Sequence, residues 1–90
     1  MNYGTATRFS PEQVLQFAAQ FFGPSGLGLA VIARGPGSLE LAGERGRVTV
    51  RVHSLDGSTE VFLTTQGLDY QVRQFMVKIY EEAQRTHQAQ

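Results

Sequence analysis

The chain has 90 residues and no formal net charge at pH 7, because eight Lys and Arg balance eight Asp and Glu. A hydrophobic fraction of 41% excludes a disordered chain and suits one soluble domain, while the neutral total excludes the strongly basic field on which most nucleic-acid and anionic-membrane binders rely. The lack of Cys, with His53 and His87 the only histidines, excludes disulfides, thiol chemistry and a multi-histidine metal site within one chain.

A short strand and a helix are the first predicted elements. Tyrosine, threonine and phenylalanine alternate with small or polar residues over residues 3–9, which is typical of a strand. Ser10 then offers a hydroxyl N-cap, proline follows at the first helical position, and Gln13 completes a capping box. An apolar stripe at helical spacing continues to about Phe22, and the Gly-Pro step at Gly23 ends the helix.

Residues 27–66 form the next predicted unit, a meander of four antiparallel strands, because the apolar period changes to two and turn residues divide the segment. A two-residue turn at Asp56-Gly57 and a four-residue loop at 43–46 fix the registers of two hairpins. Both registers place one apolar set toward the core, and a slip of one residue in either would destroy that agreement. This set comprises Leu39, Leu41, Val48, Val50, Val52, Val61 and Leu63.

The first strand of the meander, Leu29 to Ala33, does not alternate, because its apolar residues are consecutive. Such a run indicates a strand that is covered on both faces. A Gly-Pro-Gly turn follows at 35–37. The pattern leaves open whether Val31 or Ile32 faces inward.

A second helix is expected after Asp69, which we predict to be its cap. Tyr70, Val77 and Tyr80 fall outside the main apolar stripe, so this helix either lies deep between the sheet and the first helix or presents its flank to another subunit. Residues 85–90 have no large apolar side chain, and we expect them to form a frayed tail. The main stripe consists of Leu68, Val72, Phe75, Met76, Ile79 and Ala83.

The order strand, helix, four strands, helix predicts a single α+β domain over residues 1–84, in which both helices pack on one face of a curved antiparallel sheet. This element order resembles that of one TATA-binding-protein repeat and of the helix-grip lipid-binding domains. The resemblance covers most of the chain, rests on element order and implies the fold. It assigns no functional residues, because no sequence motif of either family accompanies it.

Two segments invite a chemical interpretation. The glycine-rich segment 23–28 leads from a helix into a strand and has no lysine, whereas phosphate-binding loops lead from a strand into a helix, so we interpret it as a helix cap and connector. His53 opposite Glu60 suggests a catalytic dyad, yet ordinary cross-strand pairing explains both residues and no motif places a nucleophile beside them. We therefore predict no enzymatic activity, cofactor or metal site.

The outward face of the predicted sheet mixes charges of both signs with an aromatic residue. Phe62 lies opposite Arg51 there, a pair that suits either a cation–π contact on a solvated face or a protein interface. Because Glu40 and Glu60 interrupt the basic residues, we predict no nucleic-acid partner.

These patterns predict a small non-enzymatic domain that self-associates as a homodimer and serves as an interaction or scaffold module. A different protein is a second candidate partner. We expect a cytoplasmic protein without a membrane partner, since residues 1–10 show no secretory signal and no segment has the ~20 consecutive apolar residues of a bilayer-spanning helix. The candidate interface residues are Val31, Ile32, Arg51, Phe62, Tyr70, Val77 and Tyr80.

The alternative is a carrier of a small hydrophobic ligand. The helix-grip resemblance implies a cavity between the C-terminal helix and the sheet. Such a cavity would be lined by Val72, Phe75, Met76 and Ile79, although residues that line a cavity and residues that fill a core are equally apolar.

Overall fold

The computed structural model describes residues 1–88, and the side chains of residues 1–84. Five strands form one open antiparallel sheet in the order β1-β5-β4-β3-β2. This α+β architecture and its element order confirm the sequence prediction. The elements are β1 (Asn2–Thr7), α1 (Pro11–Phe22), β2 (Ala30–Gly35), β3 (Ser38–Gly43), β4 (Gly46–Leu55), β5 (Ser58–Gln66) and α2 (Asp69–Gln88).

Both helices cover the same face of the sheet. α1 packs over β3 and β4, and α2 packs over β1 and β5, so β2 lies at the edge beyond α1. The apolar positions of the strands point toward the helices, while Arg51, His53 and Phe62 are exposed on the opposite face. The buried core consists of Val14, Ala18, Phe22, Leu29, Leu39, Leu41, Val48, Val50, Val61, Leu63, Leu68, Val72, Phe75 and Ile79.

The two predicted hairpin registers are confirmed. β4 pairs with β5 so that Val52 is opposite Val61, and the connecting turn has φ values of 42° at Asp56 and 83° at Gly57. Two successive residues with positive φ give the twist that suits a tight antiparallel hairpin. In the β3–β4 hairpin, Gly43 and Gly46 are themselves a pair, so the turn has two residues rather than the expected four, and the register is unchanged.

β2 differs from the expectation of a strand covered on both faces. Val31 pairs with Leu41 and Ala33 pairs with Glu40, so Ile32 is the extra residue of a β-bulge. Its side chain is 49% exposed, whereas Val31 packs against the core. The bulge, rather than burial of both faces within the chain, therefore explains why the apolar residues are consecutive, and it establishes that Val31 faces inward.

Both helices begin close to where the sequence predicts. The capping box of α1 is present, because the amide of Gln13 donates to Ser10 Oγ at 3.2 Å and the amide of Ser10 donates to Gln13 Oε1 at 2.9 Å. At the start of α2, the amide of Val72 donates to the carbonyl of Leu68 at 2.9 Å. Leu68 is therefore the N-cap, and Asp69 is the first helical residue rather than the cap.

α2 extends through Gln88, which includes the first part of the segment 85–90 that we expected to fray. Residues 89–90 of that segment lie outside the described residues. Among the residues that the structure describes, neither helix is long and apolar enough to cross a membrane.

Candidate functional site

α2 carries a second, solvent-facing surface in addition to the stripe that packs into the core. Residues spaced three and four apart share one side of a helix, and the residues of this second surface have that spacing. We call this surface the α2 outer face; it forms a shallow groove of about 450 Å³ lined by Tyr70, Arg73, Gln74, Val77, Lys78 and Glu81.

The apolar side chains of this region are the most exposed large hydrophobic residues in the described part of the chain apart from Met1. Tyr70 is 62% exposed, Val77 58% and Tyr80 61%. Tyr80 flanks the α2 outer face on the side of β1, where it lines a cleft of about 200 Å³ with Ala6 and Ser58. A helix that is apolar on its core side and again on its outer side has more apolar surface than packing within one chain uses.

The polar groups of the α2 outer face include one hydrogen-bonded pair and charged side chains that form no ion pair within residues 1–84. Gln74 Nε2 donates to Tyr70 Oη at 3.2 Å, a contact between residues one helical turn apart that holds the Tyr70 ring along the helix. Arg73 and Glu81 are exposed, and within residues 1–84 neither forms an ion pair. Two opposite charges, one on each side of Val77, are therefore available to a partner.

On the open face of the sheet, Phe62 has a structural role within the chain. It lies opposite Arg51 on β4 and opposite Gly4 on β1. A Cβ atom on Gly4 would be 3.8 Å from Phe62 Cδ1, so the ring covers the backbone of the glycine, a cross-strand arrangement that protects a glycine in a strand. Further along the same face, Arg47 Nε lies 3.5 Å from Glu40 Oε2, so these two charges are paired within the chain.

The β2 edge combines apolar residues with features that prevent strand pairing. The bulge at Ile32 interrupts the free edge of the strand. Arg34 pairs with Leu39 and thus points its charged side chain to the helix-covered side of the sheet, where it is exposed beyond α1. Bulges and inward-pointing charges are the means by which natural edge strands avoid adding a further strand.

The seven candidate interface residues consequently fall on three separate surfaces. Val31 and Ile32 lie at the β2 edge, and Arg51 and Phe62 lie on the open sheet face. The tyrosines and the valine of α2 lie on the opposite side of the two-layer structure. They do not form a single patch.

The residues of the alternative ligand cavity lie in the packed core. Val72, Phe75 and Ile79 are at most 1% exposed, and Met76 packs against the same cluster. The Phe75 ring centroid lies 5.6 Å from those of Phe17 and Phe21 and 5.1 Å from that of Phe22. These distances are typical of aromatic side chains in direct contact, so α1 supplies the rings that surround Phe75.

The glycine-rich segment 23–28 is a helix cap and connector, as the sequence predicts. Four successive backbone N–H groups, at residues 26–29, donate to the carbonyls of Phe21, Phe22 and Gly23 at 2.9–3.0 Å. A phosphate site needs N–H groups that are free to donate to the anion. Here they donate instead to the last two carbonyls of α1 and to the carbonyl of its C-cap, Gly23.

His53 and Glu60 are cross-strand partners, as the hairpin register predicts. His53 is exposed and Glu60 is half-buried on the open sheet face. Within the described side chains, no hydrogen bond or ion pair joins them. This particular pair therefore lacks the cleft and the fixed geometry that a general base needs.

Tyr3 makes a connection that the sequence analysis missed. Its hydroxyl donates to Asp69 Oδ1 at 3.2 Å and so joins β1 to the first turn of α2. Burial, together with the hydrogen bond to Asp69 and its charge, raises the pKa of the Tyr3 phenol above its usual range. Alternation in β1 places Tyr3 on the inward face, but nothing in the sequence links it to a residue 66 positions away.

No protein-family model matches the chain, and no curated protein matches its sequence. The resemblance of element order to the TATA-binding-protein repeat and the helix-grip domains stays a prediction. A functional assignment therefore depends on the surfaces described above.

Proposed function

We propose that the chain is a small non-enzymatic domain of the cytoplasm that self-associates as a homodimer through the α2 outer face and acts as an interaction or scaffold module. The observation that carries the proposal is the exposure of Tyr70, Val77 and Tyr80 on a helix whose other side is fully packed into the core. Full burial of an exposed apolar side chain contributes about 1.5–3 kcal/mol. About three-fifths of each of these three side chains remains exposed, so covering all three is a substantial driving force.

The other two candidate surfaces support self-association less well. The β2 edge has a bulge at Ile32 and an inward-pointing Arg34, both of which oppose pairing with a second strand. Phe62 already covers Gly4 of its own chain, which accounts for an aromatic residue on the open sheet face. Within residues 1–84, the exposed apolar residues of α2 have no such explanation.

Native mass spectrometry of the purified chain at low micromolar concentration tests the proposal, because it measures subunit number and bound mass together. We expect a dimer for the wild type and a monomer for Val77→Glu, in which a charge would be buried at the interface. Phe62→Glu is the matched control on the opposite side of the molecule, and we expect it to remain dimeric.

Other outcomes would overturn the proposal. A wild-type monomer would contradict self-association, and a monomer with additional bound mass would favour the hydrophobic-carrier alternative. A dimer that Phe62→Glu dissociates and Val77→Glu does not would move the interface to the open sheet face.

A further inference from the structure

We infer that two copies pack their α2 outer faces against each other in antiparallel orientation, with a two-fold axis that passes beside Val77. This inference rests on the proposed self-association and specifies the partner surface and its geometry. It is carried by the distribution of charge and apolar residues along the helix.

Apart from Lys78, which lies beside the axis, the charged residues of the α2 outer face are placed symmetrically about Val77. Arg73 precedes it by four residues and Glu81 follows it by four, so they lie about 6 Å on either side along the axis at a helical rise of ~1.5 Å per residue. Both positions are one turn from Val77 and share its side of the helix.

An antiparallel pair centred on Val77 converts this symmetry into charge complementarity. A two-fold axis at Val77 brings Arg73 to the level of the partner's Glu81, and it does so twice in each dimer. A parallel pair would instead align Arg73 with the partner's Arg73, and the same would hold for Glu81. Like charges at the same level are unfavourable, so the charge pattern selects the antiparallel arrangement.

The outer positions fit the same alignment. Tyr70 lies seven residues before Val77 and Gln84 seven after it, so the axis brings Tyr70 to the level of the partner's Gln84. Gln74 and Tyr80 are likewise three residues on either side of Val77. At each of these levels one copy contributes a tyrosine and the other an amide side chain, so polar groups surround an apolar centre.

The two charges are available for this pairing. Within residues 1–84, neither Arg73 nor Glu81 forms an ion pair. The hydrogen bond from Gln74 to Tyr70 holds the tyrosine ring along the helix surface before association, which reduces the entropy that an interface must overcome.

Because the chain has no cysteine, a single introduced thiol reports the geometry directly. At helix spacings of 8–10 Å, Cα atoms that face each other across a two-fold axis lie about 3.5–5.5 Å apart, which overlaps the range that a disulfide spans. With oxidised glutathione as the oxidant, we expect Val77→Cys to form a covalent dimer about tenfold faster than Phe62→Cys or Ile32→Cys, since its thiols have a high effective concentration.

Charge reversal tests the orientation independently. We expect Arg73→Glu alone or Glu81→Arg alone to raise the dimer dissociation constant about tenfold, because each single change makes both ion pairs repulsive. The double variant, Arg73→Glu with Glu81→Arg, restores attraction and should return to within about threefold of the wild type. Circular dichroism of each variant establishes that the fold is retained.

The outcomes separate this geometry from self-association itself. If the wild type is dimeric but Phe62→Cys or Ile32→Cys cross-links fastest, the antiparallel α2 pair is wrong while self-association stands. If Val77→Cys cross-links fastest but the double charge reversal is as weak as the single variants, the charge alignment is wrong. A monomeric wild type overturns both proposals.

Discussion

Tyr3 shows how a single hydrogen bond makes stability depend on pH. Its pKa is raised in the folded chain, so folding favours the neutral phenol that donates to Asp69. The contribution to stability is complete below the unfolded pKa of about 10 and is lost as the pH rises through the higher folded value. We therefore expect the melting temperature of the wild type to fall more steeply than that of Tyr3→Phe between about pH 9 and pH 11.

Thermal melts monitored by circular dichroism in that pH range check this expectation. Tyr3→Phe should be less stable than the wild type at neutral pH, where it lacks the hydrogen bond, and the two melting temperatures should converge as the pH rises. Parallel curves for the two proteins would show that ionisation of Tyr3 is not linked to folding.

Thr59 is a second position where one polar atom matters. It is 2% exposed, and its Oγ1 donates at 2.6 Å to the carbonyl of Phe9, which anchors the segment between β1 and α1. Thr59→Val keeps the shape but leaves that carbonyl without its donor, so we expect a loss of about 1–3 kcal/mol in the free energy of unfolding, measured by urea denaturation.

Thr64→Val on the same strand is the matched control for Thr59→Val. Thr64 is exposed on the open sheet face, and we expect its substitution to change stability by no more than about 0.5 kcal/mol. Equal effects at the two positions would contradict a specific role for the Thr59 hydroxyl.

At the scale of the hairpins, two glycines with positive φ differ in the space that is available for a side chain. Gly57 has φ of +83° in the β4–β5 turn, and a Cβ there would meet open space. Gly46 has φ of +151°, and a Cβ there would collide with the carbonyl oxygen of Gln66. We expect Gly57→Ala to lower the free energy of unfolding by about 1–2 kcal/mol, which is the penalty for a left-handed backbone alone.

Gly46→Ala should cost more than Gly57→Ala, because the collision with Gln66 adds to the backbone penalty and displaces β5 from the start of β4. Urea denaturation of the two variants gives the comparison directly. A smaller loss of stability for Gly46→Ala than for Gly57→Ala would mean that β4 and β5 can shift apart at this point and so avoid the collision.

Elements that are specified by a motif of neighbouring residues were predictable from the sequence. The capping box at Ser10 and the turn at Asp56-Gly57 have specific residue requirements, and both occur as expected. The bulge in β2 was not predictable, because its extra residue is Ile32 and no glycine marks it. The link from Tyr3 to Asp69 depends on how β1 and α2 pack, which no local pattern contains.

For the candidate site, the sequence separated the core residues of α2 from its outer residues, because a period of 3.6 distinguishes the two sides of a helix. It grouped Ile32, Phe62 and Tyr80 into one candidate interface, since all three are apolar residues without an assigned place in the core. Only the three-dimensional arrangement shows that they lie on different sides of the molecule.

For the whole molecule, the proposed self-association predicts that folding stability depends on protein concentration. A domain that unfolds from a dimer gains stability by mass action, so its melting temperature rises with protein concentration. A tenfold increase adds about 0.7 kcal/mol per chain, which corresponds to a shift of roughly 3–5 °C for a domain of this size. We expect this shift for the wild type once the concentration exceeds the dimer dissociation constant.

Val77→Glu should remove the concentration dependence, because the variant unfolds as a monomer whose core is unchanged; Val77 is 58% exposed and lies outside that core. Phe62→Glu should retain the shift, since it alters the opposite side of the molecule. Scanning calorimetry over about two decades of concentration checks all three proteins, and a wild-type melting temperature that is constant over that range would contradict a dimer that is coupled to folding.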